Sequence, residues 1–200
     1  METIAERYAR HADAFERKVA AVPPDRWDGP SPCAKWTARD LVGHIVEMHG
    51  YMLQPLAEAP SPAPPVAADP LAAFRAARAD VERILADEQR AGTECDTPSG
   101  RLTAAAHIDQ VVSDDLVLHG WDLARATGQD DAIDRADLPR LWAMTTAVPA
   151  ELMAQFRTPG AFGPGIEVYG AEVPVPADAP LQDRLLGYIG RDPHWTPAVA

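Results

Sequence analysis

Asp115 and His119 stand four residues apart in Ser113-Asp-Asp-Leu-Val-Leu-His-Gly-Trp-Asp122, a stretch flanked by the apolar residues Ile108, Val112, Leu123 and Ala126. Residues at that spacing share one helix face, so a carboxylate and an imidazole converge on a single point. A carboxylate on an apolar face is costly unless a cation or a full set of hydrogen bonds meets it. His44 is the histidine best placed to join the pair. It lies on another helical seam, marked by Leu41, Ile45, Met48 and Met52. Two imidazoles and one carboxylate on facing helices are a familiar way to hold a metal in a bundle. They leave positions open for water or substrate, and Zn, Ni, Fe and Mn all accept such ligands. Asp122, three residues past His119, can orient that imidazole from behind. The same spacing also fits a hydrogen-bonded His–Asp pair in a core without an ion, and the residues alone leave both readings open.

The other histidines fit less well. His107 precedes Asp115 by eight residues, about 12 Å along a helix axis, too far to share an ion. His49 is five residues beyond His44, well round the helix, and is expected in solvent. His11 falls on the apolar stripe of the first helix as a core-edge group bonded to a neighbour. Cys33 is expected to be a small buried apolar residue rather than a reactive thiol. Cys95 carries no motif, and Trp121 and Arg125 are expected to serve helix packing and salt bridging.

The elements that must position these groups are helices. The first is expected from about Thr3 to Val22, ended by Pro23-Pro24. A proline- and tryptophan-containing connector follows over residues 23–36. Thr37 then caps a helix to about Gln54, with Asp40 as its capping-box partner. Residues 55–70 hold six prolines in sixteen positions, an extended segment able to span roughly 50 Å. The helix before it is only about 27 Å long, so the crossover lets the second and third helices run parallel. The third helix is expected from about Asp69 or Leu71 to Arg90, a turn-rich connector over 93–100, and a fourth helix from about Leu102 to Thr127, closed by Gly128. A fifth, Leu138 to Phe156, is kinked or broken at Pro149. Gly160–Gly165 is a turn region, 166–169 and 173–175 are short extended pieces, and a last helix spans about Ala179 to Ile189.

Composition removes several function classes. Net charge is −12 over 200 residues, which excludes a nucleic-acid surface and docking on anionic membranes. No apolar run is long enough for a transmembrane helix, and the charged N-terminus is unlike a signal peptide. Two cysteines make no disulfide framework, so the protein is expected in the cytoplasm with reduced thiols.

Two motifs carry a family likeness. Trp36-Thr-Ala-Arg-Asp-Leu-Val-Gly-His44 and Asp115-Leu-Val-Leu-His119-Gly-Trp-Asp-Leu-Ala-Arg-Ala-Thr-Gly128 resemble those of the DinB-like metal-binding proteins. The nearest branch includes the metal-binding domain of mycothiol-dependent maleylpyruvate isomerase. Arg26-Trp27, Ser31-Pro-Cys33 and Gly190-Arg-Asp-Pro193 fit it too. The resemblance implies an all-α, DinB-like four-helix bundle, up-down-down-up, with the long crossover between helices 2 and 3. It implies a divalent metal, Zn first and Ni, Fe or Mn next, on His44, Asp115 and His119. The isomerase pattern has Glu where this chain has Asp115, and its fuller C-terminal domain exceeds the tail seen here, so isomerase activity is not carried over with the fold.

The expected organisation is a metal-binding bundle with its fifth helix over 1–158 and a small extension over 159–200. The expected activity is that of a metal-dependent thiol S-transferase or isomerase, with mycothiol or a similar low-molecular-weight thiol as cosubstrate and an electrophilic small molecule as partner. The alternative is a non-enzymatic metal-binding bundle with a structural or sensing role. The apolar fifth helix and Trp-rich ends would support a homodimer, though their spacing does not demand one.

Overall fold

A computed structural model describes residues 2–97, 100–161 and 168–197. Helix α1 spans Ile4–Ala20, started by a full capping box between Thr3 and Glu6. Helix α2 spans Ala38–Tyr51, and here Thr37 and Asp40 form the expected capping box. Helix α3 spans Pro70–Leu85, with Asp69 as N-cap and proline in the first turn, where its missing N–H costs nothing. The third helix does not run on to Arg90. It stops at Ala86, and Asp87 caps a separate short helix α4, Glu88–Ala91.

The fourth helix also departs from expectation. In place of a turn and a helix start, the chain forms an antiparallel hairpin, β1 Glu94–Thr97 and β2 Gly100–Thr103, with Cys95 opposite Leu102. Thr103 then caps helix α5, Ala104–Ile108, followed by a π-helical segment, Asp109–Ser113, and helix α6, Asp114–Thr127. Gly128, at φ 74°, closes α6 in the left-handed conformation expected of a C-cap.

The chain divides into two compact units, 1–131 and 132–200. In the first, α1 packs against α3 and α6, and α2 packs against the same two, so α1 and α2 sit diagonally. Contacts give the directions. Arg39 early in α2 reaches the carbonyl of Ala67 just before α3, while Ser61 in the crossover bonds Asp80 late in α3. The crossover therefore returns along the bundle, and α2 and α3 run parallel. Phe15 late in α1 meets Phe74 early in α3, so these two are antiparallel. Arg7 contacts Asp109, and Gly120 lies against Phe15 and Lys18, so α1 and α6 run together. The result is the up-down-down-up order.

The core is apolar, with Tyr8, Phe15, Leu41, Ile45, Phe74, Ile84, Ile108, Leu116 and Leu123 fully buried. The second unit holds helices α7 Leu138–Thr146, α8 Ala150–Phe156 and α9 Leu181–Tyr188. The expected fifth helix is thus broken at Pro149, and both of its halves lie in this unit. Trp142 meets Tyr188 edge-on at 5.8 Å, and Arg184 lies over Trp142 at 4.8 Å. Residues 173–175 form no strand, and the expected pieces over 162–167 lie outside the described residues. Among the described residues, no helix is long and apolar enough to cross a membrane.

His49 corrects a sequence expectation. It is fully buried rather than solvated. Its Nδ1–H donates to the Ile45 carbonyl at 2.6 Å, and its Nε2 accepts from the Tyr8 hydroxyl at 2.9 Å. Both ring nitrogens are therefore satisfied in the neutral form. Burial lowers its pKa to about 4, against the opposing pull of the Ile45 carbonyl and the Asp115 and Asp80 charges. Between about pH 6.5 and 4 the unfolded chain binds a proton here that the fold refuses. Stability should fall as pH falls through that window, by about 3 kcal/mol at full extent. Urea unfolding at pH 7 and pH 4.5 measures this, and His49→Gln, which keeps an acceptor for Tyr8 but does not titrate, should flatten the dependence.

Candidate metal centre

The site is assembled from α2, α6 and the connector before α2. His44 sits two turns into α2, and its side chain remains about a quarter exposed, as does that of Asp115. His44 Nε2 and Asp115 Oδ2 are 3.6 Å apart, too long for a hydrogen bond. Two donors each about 2.1 Å from a tetrahedral ion lie about 3.4 Å apart. One donor atom each from His44, Asp115 and His119 falls within 4.8 Å of the others. The structure therefore brings together the three residues singled out by spacing, in a geometry and donor set that fit a divalent ion.

His119 is the most constrained of the three. It is buried, and its Nδ1 is 2.9 Å from Oδ2 of Asp122, which is completely inaccessible to solvent. An ionised carboxylate only accepts, so Nδ1 carries the proton and the Nε2 lone pair is left for an ion. That is the arrangement in which an outer carboxylate orients a ligating imidazole and raises its basicity. Trp36 covers the ligand pair, its ring 4.8 Å from His44 and 5.7 Å from His119, while the two imidazoles meet edge-on at 4.9 Å.

His107 takes no part in this cluster; it is half-buried, and burial lowers its pKa. His11 is buried and bonded within the core, as expected. Trp121 is buried, and Arg125 pairs with Asp131 at 3.0 Å beneath a cation–π contact to that indole. Cys33 packs against the apolar core as expected, though less deeply buried. It is half-buried, and its Sγ groups with His119 and Asp122. Neither Cys33 nor Trp36 is legible in the sequence as a neighbour of the site, because a turn in the connector, not a helical spacing, carries them there.

The π segment sets the phase of α6. A π turn inserts one residue into an α-helix, so a helical wheel drawn through residues 102–127 misplaces one half against the other. Two side chains one turn apart on α1 hold the ends of this segment. Arg7 makes a two-pronged contact with Asp109 at 2.8 and 3.0 Å. His11 Nδ1 lies 2.9 Å from both the carbonyl oxygen and Oγ of Ser113. Asp115 follows two residues on, in the first turn of α6.

The fold and the site thus define a helical bundle of the His/carboxylate/His type, with an imidazole braced by a buried aspartate. The model of the family described as "Mycothiol maleylpyruvate isomerase N-terminal domain" matches residues 8–124, and the chain belongs to that family. It is also similar to two proteins of Mycobacterium tuberculosis, the uncharacterized proteins Rv0738 of strain H37Rv and MT0763 of strain CDC 1551. Each is 34% identical over 187 residues, covering 92% of this chain and 95% of the relative. No solved structure matches the chain significantly.

Deleting Gln110, an exposed residue of the π segment, should restore an ordinary α-helix. One end of the segment then turns by about 100° and moves about 1.5 Å, so the Arg7 and His11 contacts cannot both survive. Helix content by circular dichroism should hold while stability drops by about 1–3 kcal/mol. An unchanged melting temperature would show that α1 does not hold the turn.

Proposed function

We propose that this protein binds one divalent metal ion through His44, Asp115 and His119 and uses it in thiol chemistry, as a metal-dependent thiol S-transferase or isomerase. The observation that carries the reading is the convergence of these donor atoms within 4.8 Å, with His119 braced by a buried carboxylate. Three protein donors leave coordination positions open, as catalytic rather than structural sites do. A divalent ion bound there supplies a strong local positive charge that favours the deprotonated form of a coordinating thiol at neutral pH.

The chain's own residues account for the remaining requirements. Asp122 holds the His119 proton on Nδ1 and keeps Nε2 aimed at the cluster. Trp36 lays an apolar wall over both imidazoles and shields them from water on that side. Asp115 brings the negative charge that a divalent cation needs, on a shorter arm than glutamate would offer, leaving more room for water or a thiol. Zn is the first candidate on the family resemblance, and the donor set accepts Ni, Fe and Mn as well. Mycothiol as the thiol is supported by the description of the family, and an electrophilic small molecule would be its partner. A homodimer and a cytoplasmic setting belong to the same proposal.

Elemental analysis of protein purified without a histidine tag, and again after reloading with Zn or Ni, tests the reading. About one ion per chain is expected, and His44→Ala should abolish it. Asp122→Asn should weaken metal binding 10–100-fold without removing a ligand. Metal-dependent consumption of a low-molecular-weight thiol with an electrophile should disappear in His44→Ala. Full turnover in a metal-free variant would overturn the catalytic reading. Stoichiometric metal without thiol turnover, with a melting temperature lowered by chelation, would identify a structural or sensing bundle instead.

A further inference from the structure

The connector ahead of α2 is a built turn rather than a loose link. The Ser31 N–H donates to the Trp36 carbonyl at 2.9 Å, and the Trp36 N–H donates to the Cys33 carbonyl at 3.1 Å. The Ser31 hydroxyl donates to that same Cys33 carbonyl at 3.2 Å. Pro30 and Thr37 close the turn with a single antiparallel bridge. Lys35 within it adopts φ 72°, a left-handed conformation that crowds the Cβ of any residue other than glycine. This turn presents Cys33 to the bundle. Its Sγ, a ring nitrogen of His119 and a carboxylate oxygen of Asp122 lie within 4.8 Å of one another.

His119 therefore belongs to two three-donor sets, one with His44 and Asp115 and one with Cys33 and Asp122. The sets differ in softness. Imidazole and carboxylate accept many divalent ions, whereas a thiolate selects thiophilic ones. In the tautomer that Asp122 holds, the first set is left Nε2. Asp122 sits against Nδ1, so an ion in the second set takes the place of the proton shared by His119 and Asp122. A neutral imidazole offers one lone pair, and it cannot serve ions on both edges without losing its last proton.

We propose that Cys33, His119 and Asp122 form a second site, for soft cations, that competes with the His44, Asp115 and His119 site for a single imidazole. One ion binds per chain, and its softness decides on which edge of His119 it sits. The inference goes beyond the proposed function: the second set is complete without His44 and Asp115, while the competition rests on the first set holding an ion as proposed.

The test uses the reduced full-length protein and cadmium. Titration with Cd²⁺ is followed by thiolate-to-metal charge-transfer absorption, with bound cadmium counted by equilibrium dialysis. The wild type should develop the band at one Cd²⁺ per chain. The double variant His44→Ala/Asp115→Ala should keep both band and stoichiometry, and Cys33→Ser should lose the band. In the wild type, Cd²⁺ should slow alkylation of Cys33 by iodoacetamide at least tenfold, as read by peptide mapping; this readout needs no variant. The proposal is overturned by a wild type without the band, by two Cd²⁺ per chain, by undiminished alkylation of Cys33, or by a band that persists in Cys33→Ser and vanishes in Cys95→Ser. Absence of Zn or Ni at the His44 set with the cadmium results intact would remove the proposed function and the competition, and leave the Cys33, His119 and Asp122 site standing.

Discussion

The hydrogen bond between His119 Nδ1 and Asp122 decides how the centre of the bundle can behave. Asp122 has no access to water, so solvation cannot offset the cost of its charge and protein donors must meet it. Accepting from His119 meets part of that demand and at the same time assigns the imidazole tautomer. With the proton held on Nδ1, the lone pair on Nε2 is the one left for the set with His44 and Asp115. The same bond also makes His119 the branch point between two donor sets. A single buried contact therefore sets the tautomer, the direction and the exclusivity of the candidate metal chemistry.

That contact has to be delivered by helices whose relative rotation is correct. Rotation is imposed on α6 by the π turn, and the π turn is gripped by α1 at both ends, through Arg7 and His11. A π segment is less favourable than α-helix and persists where tertiary contacts support it. The crossover has an anchor of its own. Asp80 is buried, and although burial raises a carboxyl pKa, the Ser61 and Arg83 hydrogen bonds bring it below the ordinary value. This ionised carboxylate fastens the proline-rich return segment to α3, which packs against α2.

Two buried histidines other than His119 show how polar groups are managed in the same core. His49 is satisfied on both nitrogens by Tyr8 and Ile45 and is held neutral by burial. It closes the α1–α2 diagonal, and its ring meets Phe74 of α3 edge-on at 5.7 Å. His11 does for α1 and the π turn what His49 does for α1 and α2. These imidazoles work as hydrogen-bonding struts, whereas at His44 and His119 the ring nitrogens converge with a carboxylate at a partly open surface.

Residues whose meaning depends on local rules are legible in the sequence itself. Thr37 and Asp40 announce the start of α2 because a capping box is a contact between residues three apart. Pro149 breaks the fifth helix, and Gly128 ends α6, because each acts on its own backbone. The spacing of Asp115 and His119 places them on one face, and the length of the proline crossover against that of α2 implies parallel helices. What tertiary structure alone decides are the features set by partners distant in the chain. His49, which its helical position assigns to solvent, is buried because Tyr8, forty-one residues away, occupies the space beside it. The π turn has no spacing signature, since its support comes from α1 about a hundred residues earlier. Cys33 becomes a neighbour of His119 only because a left-handed turn at Lys35 folds the connector back. Helix positions and donor types follow from short-range chemistry; the rotation of the helices, and hence which donors meet, follows from long-range contacts that no local pattern encodes.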